Sequence, residues 1–142
     1  MSPPSSTSRA ARWRWPAAAA AAVFGVATIV AGGRVLFGGP AAREEAGAYL
    51  GFVVTFNFGA GFAYVAAAAG LALRKGWSKW LAAAIAGGTV LVFAAFGVHV
   101  LTGGAFERRT VAALAFRSVF WIAFAAAGKR MLETGSPPKA CG

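Results

Sequence analysis

Four long apolar segments with almost no charge constrain this chain more than any other feature of its sequence. Residues 16–33, 46–73 and 80–106 contain no Asp, Glu, Lys or Arg, and residues 110–128 contain a single one, Arg117. A helix needs about 20 such residues to cross the hydrocarbon layer, because it rises about 1.5 Å per residue. The pattern therefore predicts four transmembrane helices. The predicted spans are about residues 16–37, 47–73, 80–103 and 109–128.

The composition agrees with a chain whose solvent is mostly lipid. Of its 142 residues 58% are hydrophobic and 13% are charged. A soluble domain of this size has too little interior to bury so much apolar surface. We predict an all-α integral membrane bundle of four helices in up-down order, because the loops are short.

The two ends of the chain are predicted to be tails outside the membrane domain. Residues 1–15 are rich in Pro and Ser and then basic, which indicates a tail rather than a helix. Residues 129–142 contain Gly and Pro and are expected to be unstructured without a partner. The membrane domain then covers residues 16–128. A signal peptide is the alternative for the first span, although the run is longer than a usual signal core.

The distribution of charge predicts the orientation. Lys and Arg residues favour the cytoplasmic side of a membrane. The predicted inner side carries Arg9, Arg12, Arg14, Arg74, Lys75, Lys79, Lys129, Arg130 and Lys139. The opposite side carries Arg34, Arg43, Arg108 and Arg109, with Glu44, Glu45 and Glu107 beside them. Both termini are therefore expected in the cytoplasm. The compact, Ala- and Gly-rich composition is typical of a bacterial inner membrane. Candidate anchors at the membrane interface are Arg12, Trp13, Arg14, Trp15, Trp77 and Trp80.

Arg117 is the most informative polar residue, because it falls near the middle of the fourth span. A lone cation at this depth costs about 2.5–3.5 kcal/mol on insertion scales. Three interpretations remain open: the guanidinium reaches lipid phosphate, holds the bundle together through hydrogen bonds, or binds an anion. Asn57 is its expected partner, because it falls at a similar depth in the second span. The alternative for Asn57 is an amide clamp on the backbone of another helix.

Two more polar residues complete a candidate intramembrane cluster of Asn57, Tyr64, His99 and Arg117. Tyr64 follows Asn57 by seven residues and shares its helix face with Gly61. His99 lies near the outer end of the third span, where an ordinary hydrogen bond to a carbonyl or water is the alternative to a functional role.

Helix contacts are predicted from small residues four apart, because small side chains allow lipid-immersed helices to approach closely. The candidates are Gly47 with Gly51, Gly59 with Ala63 and Ala67, and Ala84 with Gly88.

The chemistry available to the chain is limited. With one histidine, His99, and one cysteine, Cys141, the chain offers no multi-histidine or multi-cysteine metal site, and we expect no cofactor. Proton-coupled export normally depends on a buried carboxylate, and no span contains one. An enzyme built on an outer His99–Glu107 pair is a remote alternative.

We therefore expect a non-catalytic protein, most simply an accessory or assembly subunit of a larger membrane complex. Its partners would be the lipid bilayer and either another membrane protein or a second copy of itself. The net charge of +10 is interpreted as an orientation signal, not as nucleic-acid binding. The alternative function is a small homo-oligomeric transporter or channel with a polar path through the four cluster residues.

Overall fold

The computed structural model describes residues 6–133, and describes side chains from residue 12 to residue 130. This part of the chain is entirely helical apart from its connections. The helices are α1 (Ser6–Phe37), α2 (Gly39–Ala46), α3 (Gly51–Ala72), α4 (Trp77–Leu101) and α5 (Arg108–Glu133). Four of them are long and apolar enough to cross a membrane, over Arg12–Phe37, Gly51–Ala72, Trp77–Leu101 and Arg108–Arg130. The predicted all-α fold with four apolar spans is confirmed.

The expectation that residues 1–15 are not helical is wrong for their described part, because α1 begins at Ser6. The reason is intrinsic: Ala and Arg, which dominate residues 9–14, are among the strongest helix formers. At the other terminus α5 continues to Glu133, five residues beyond the predicted end of the span. Residues 1–5 and 134–142, which include most of the predicted C-terminal tail, lie outside the described residues.

The short helix α2 was not predicted and lies between the first two spans. Gly39 takes a positive φ of 81°, and Pro40 lies in the first turn of α2. A proline at a helix start needs no hydrogen-bond partner for its nitrogen, so this sequence ends α1 and starts a new helix.

The α2 helix and the connection after it contact the first turn of α5 and the residue before it. Nη2 of Arg109 donates to the carbonyl oxygen of Glu45 at 2.7 Å. The backbone N–H of Ala48 donates to Oε1 of Glu107 at 3.2 Å. We call this end of the bundle the α2 end.

The tightest packing joins α1 to α3 through two glycines. A Cβ atom added to Gly61 would lie 2.6 Å from Cγ1 of Ile29 and 3.1 Å from the carbonyl oxygen of Gly25. A Cβ atom added to Gly25 would lie 2.8 Å from Cγ2 of Val65. The predicted contact at Gly59 is wrong, because a Cβ there meets nothing within 4 Å. The helix α1 instead packs against the neighbouring face of α3, which carries Gly61.

The helices form a ring in which α1 packs on α3, α3 on α4 and α4 on α5, and the α1–α5 contact is the least extensive. A core cluster at the end opposite α2 joins all four spans, and Tyr64 and Trp121 are its largest fully buried side chains. We call the end of the bundle opposite α2 the basic end. A smaller cluster near the α2 end contains Val53, Phe96 and Leu114.

The α1–α3 crossing gives a prediction in which one substitution has opposite effects at two positions. Alanine normally stabilises a helix relative to glycine by up to about 1 kcal/mol. We expect Gly59→Ala to be neutral or stabilising. Gly61→Ala should lower the free energy of unfolding by about 1 kcal/mol or more, because overpacking costs about 1–3 kcal/mol. The measurement is reversible unfolding in mixed micelles, followed by tryptophan fluorescence. Equal effects of the two variants would contradict the assigned crossing.

Candidate functional site

Arg117 points from α5 towards α1. Its Nη2 donates to Oγ1 of Thr28 at 3.3 Å, and Thr28 in turn donates to the carbonyl oxygen of Phe24 at 2.8 Å. The guanidinium carbon lies 5.6 Å from the centre of the Phe24 ring. This geometry adds a cation–π contact to one long hydrogen bond. Two neutral groups of α1 thus hold the cation.

The charge of Arg117 has no counter-ion within the described residues. Its Nε is buried and has no hydrogen-bond partner there. The nearby acids at the α2 end are engaged elsewhere: Glu107 accepts from Ala48, and Oε2 of Glu45 lies 4.0 Å from Nη2 of Arg34. An uncompensated cation in a low-dielectric environment attracts any anion that can reach it.

Arg117 lines a cavity of about 340 Å³ at the α2 end, between α1, α3 and α5. This volume falls near the lower limit of known small-molecule sites, which occupy about 300–1,000 Å³. Most of the wall is aliphatic or small. The polar residues of the wall are Thr28, Tyr49, Asn57, Arg109, Thr110 and Arg117. We call this space the Arg117 cavity.

Asn57 also lines the Arg117 cavity and is only 8% exposed. Its Oδ1 is buried without a hydrogen-bond partner among the described residues. The expected bond between Asn57 and Arg117 is not formed, because the guanidinium bonds to Thr28 instead. A buried amide oxygen without a donor costs about 1–3 kcal/mol, so this position favours a ligand that brings one.

Tyr64 does not line the Arg117 cavity; it packs on Phe24, the ring that Arg117 also contacts. Its ring is fully buried, stacks on Phe24 with 5.7 Å between centroids, and contacts Trp121 at 4.4 Å. Arg117 and Tyr64 therefore touch the same Phe24 ring. The Tyr64 hydroxyl and Nε1 of Trp121 are buried without hydrogen-bond partners among the described side chains.

His99 is separate from the other three cluster residues. It lies in the last turn of α4, and its Nε2 is 3.3 Å from the carbonyl oxygen of Ala105. It does not line the Arg117 cavity. Glu107 binds the backbone of Ala48 instead of His99, so the remote His99–Glu107 pair is not formed. The structure brings together Asn57 and Arg117, places Tyr64 beneath them, and leaves His99 outside.

The candidate interface anchors lie near the basic end, in the N-terminal parts of α1 and α4. Their four tryptophans, Trp13, Trp15, Trp77 and Trp80, are between 50% and 73% exposed. The guanidinium carbon of Arg14 lies 5.4 Å from the centre of the Trp15 ring. Arg12 is exposed. Nearby, a groove of about 440 Å³ between α4 and α5 is lined by Lys79, Trp80, Ala83, Ala125, Ala126 and Lys129.

Thr28 of α1, and Tyr49 and Arg109 near α2, were not among the site residues predicted from the sequence. Thr28 carries the only hydroxyl group in residues 16–33, and it lies nine residues before the end of α1, as Arg117 lies nine after the start of α5. The similar depth of Thr28 and Arg117 could therefore be recognised from the sequence. Tyr49 and Arg109 were not recognisable, because their position depends on α2. Among the described residues, no three His, Cys, Asp or Glu side chains are grouped to hold a metal ion.

The weak bonding of Arg117 predicts that it does not stabilise the bundle. Arg117→Leu removes a burial cost of about 2.5–3.5 kcal/mol and loses a hydrogen bond worth about 0.5–1.5 kcal/mol. We expect equal or higher thermal stability in a zwitterionic detergent. Arg108→Leu, an exposed arginine of the same helix, is the matched control and should change little. A loss of more than about 2 kcal/mol in Arg117→Leu alone would restore the interpretation that Arg117 locks the helices.

Comparison of the chain with protein-family models, with curated proteins and with solved structures gives no match.

Proposed function

We propose that this small membrane protein is non-catalytic and serves as an accessory or assembly subunit of a larger membrane complex. The observation that supports this is the outward side of α4. That helix packs mainly on α3 and α5, and its opposite side exposes Ala83, Ala84, Gly87, Leu91 and Ala94. We call these five residues the α4 face.

The α4 face has the properties of a helix-contact surface in lipid. A Cβ atom added to Gly87 meets nothing within 4 Å, so a partner backbone has room to approach there. Lipid tails are as apolar as leucine side chains, and helices therefore associate through close backbone packing between small residues. The exposed side of α3 carries Gly59 between the bulkier Phe52 and Phe62, which keep a partner helix further away.

We further propose up-down helices in a bacterial inner membrane, with both termini in the cytoplasm. The support is the unequal charge of the two ends. The basic end carries Arg12, Arg14, Arg74, Lys75, Lys79, Lys129 and Arg130, and the α2 end mixes arginines with Glu44, Glu45 and Glu107. Positive residues in short loops favour retention on the cytoplasmic side.

A homo-oligomeric transporter or channel for anions is the second candidate. The Arg117 cavity supports the transporter alternative, since a cation that has no counter-ion among the described residues selects negative substrates. Against it, Phe24, Tyr64 and Trp121 pack closely beneath the cavity, in the place where a polar path would have to continue.

The proposed orientation predicts which sites react with a membrane-impermeant maleimide. In a Cys141→Ser background, a cysteine at the exposed Ala41 of α2 should be labelled in intact cells. A cysteine at Lys75, in the connection between α3 and α4, should be labelled only after the membrane is permeabilised. The reverse pattern would overturn the orientation.

The accessory-subunit proposal predicts where a partner protein is found. A photocrosslinking residue at Gly87 should give one adduct of defined mass in native membranes, and the same residue at Gly59 should give none. Replacing Gly87 by Phe should remove comigration with a larger complex on native gels, whereas Gly59→Phe should retain it. Adducts only between copies of this chain, with anion flux in liposomes that Arg117→Leu abolishes, would instead support the transporter.

A further inference from the structure

The opening of the Arg117 cavity faces the lipid side of the bundle. Its wall includes Ala31 of α1 and Ala113 of α5, both exposed, at the junction where these helices make their least extensive contact. Towards the basic end the same junction is closed by Phe24 of α1, which packs on Phe116 and Phe120 of α5 at 5.7 and 5.0 Å. The cavity is therefore a side pocket with an aromatic floor.

Two arginines give this side pocket a positive charge at two depths. Arg109 and Arg117 are eight residues apart on α5, about 12 Å along the helix. No carboxylate lines the cavity in the described part of the chain. Arginine binds phosphate and carboxylate groups strongly, because its planar fork donates several hydrogen bonds.

The remaining polar wall specifies more than a negative charge. Asn57 lines the cavity, and its Oδ1 is buried and has no donor among the described residues. Tyr49 and Thr110 add hydroxyl groups that can donate or accept. A ligand that satisfies this wall carries an anionic oxygen for the guanidinium and a hydrogen-bond donor close beside it for Asn57.

The apolar part of the wall indicates how such a ligand reaches the site. Val35, Val53, Val54 and Leu114 are the larger aliphatic residues of the wall. The side opening lies between two apolar spans, α1 and α5, where a bilayer would place its acyl chains. A water-soluble anion that took this side opening would have to leave water, at a high desolvation cost. Its other way in is past Tyr49 and Arg109 at the α2 end, which is why soluble glycerol phosphate is included in the test below. An amphiphile enters with its tail still in the lipid.

We infer that the Arg117 cavity binds the head group of a phospholipid, held by its phosphate at Arg117 and by a neighbouring hydroxyl at Asn57, which enters between α1 and α5. This inference does not depend on the accessory-subunit role, because the α4 face lies on another helix. The bound lipid supplies the counter-charge that Arg117 does not have among the described residues.

The test is native mass spectrometry of the full chain with added lipids of identical acyl chains. Phosphatidylglycerol carries phosphate and hydroxyl groups, and phosphatidylmethanol carries the same charge without a hydroxyl. We expect phosphatidylglycerol to bind about two- to tenfold more tightly, and Asn57→Leu to abolish that difference. Arg117→Leu should weaken binding of both lipids at least about tenfold. If Arg117→Leu fails to fold, Arg117→Lys, which keeps the charge and loses the fork, should weaken both lipids to a smaller degree.

The route of entry is tested by a matched pair on α5. Ala113 lines the opening and Ala112 is exposed beside it but does not. Ala113→Phe should weaken lipid binding and Ala112→Phe should leave it unchanged. Three results would each overturn the inference. The first is an equal loss of lipid affinity in Ala113→Phe and Ala112→Phe, and the second is lipid binding by the Arg117→Leu variant that is as tight as that of the wild type. The third is displacement of the lipid by soluble glycerol phosphate at the same concentration. A protein adduct from a photocrosslinker at Ala113 in native membranes would also overturn it, because a partner's side chain would then occupy the cavity.

Discussion

The close approach of α1 and α3 at Gly25 and Gly61 determines how the rest of the bundle is arranged. In lipid, helices gain little from hydrophobic burial, so backbone proximity and dispersion decide which pairs are tight. With α1 drawn onto α3, the ring closes poorly between α1 and α5. The aromatic contacts around Phe24 close that junction near the basic end. Near the α2 end it stays open, and the Arg117 cavity results.

Arg117 lies at the edge of this opening, and that position gives the residue its significance. A cation inside a membrane is normally paired or directed to water, because its transfer into hydrocarbon is costly. Here one threonine hydroxyl and one aromatic face contact the guanidinium, and Nε and the Asn57 oxygen have no partners among the residues that the structure describes. Buried polar atoms without a partner are uncommon in native interiors. In the described part of the chain, Nε of Arg14, the Tyr64 hydroxyl and Nε1 of Trp121 share this state outside the cavity. The single long hydrogen bond of Arg117 is the observation that supports the proposed binding site over a structural lock.

Sequence reasoning located the spans well and their ends less well. Spans are recognisable because lipid excludes charge over about 20 residues, and that signal is strong and local. The start of α1 at Ser6 was missed because a Pro- and Ser-rich beginning concealed a run of good helix formers. The contact face of α3 was misassigned to Gly59, since small residues occur on several faces of this Ala-rich helix. Only the packing distances distinguish Gly61 from Gly59.

The sequence by itself determined the four apolar helices, the depth of Arg117 and the polar candidates Asn57 and Tyr64, because these follow from the hydropathy and spacing of single segments. The tertiary structure decided that Thr28 and Phe24 hold the guanidinium, that the Asn57 oxygen has no partner in the described part of the chain, and that His99 lies apart. Those outcomes depend on how helices rotate and cross. Rotation is fixed by steric fit between glycines and side chains distant in sequence, and no single segment contains that information.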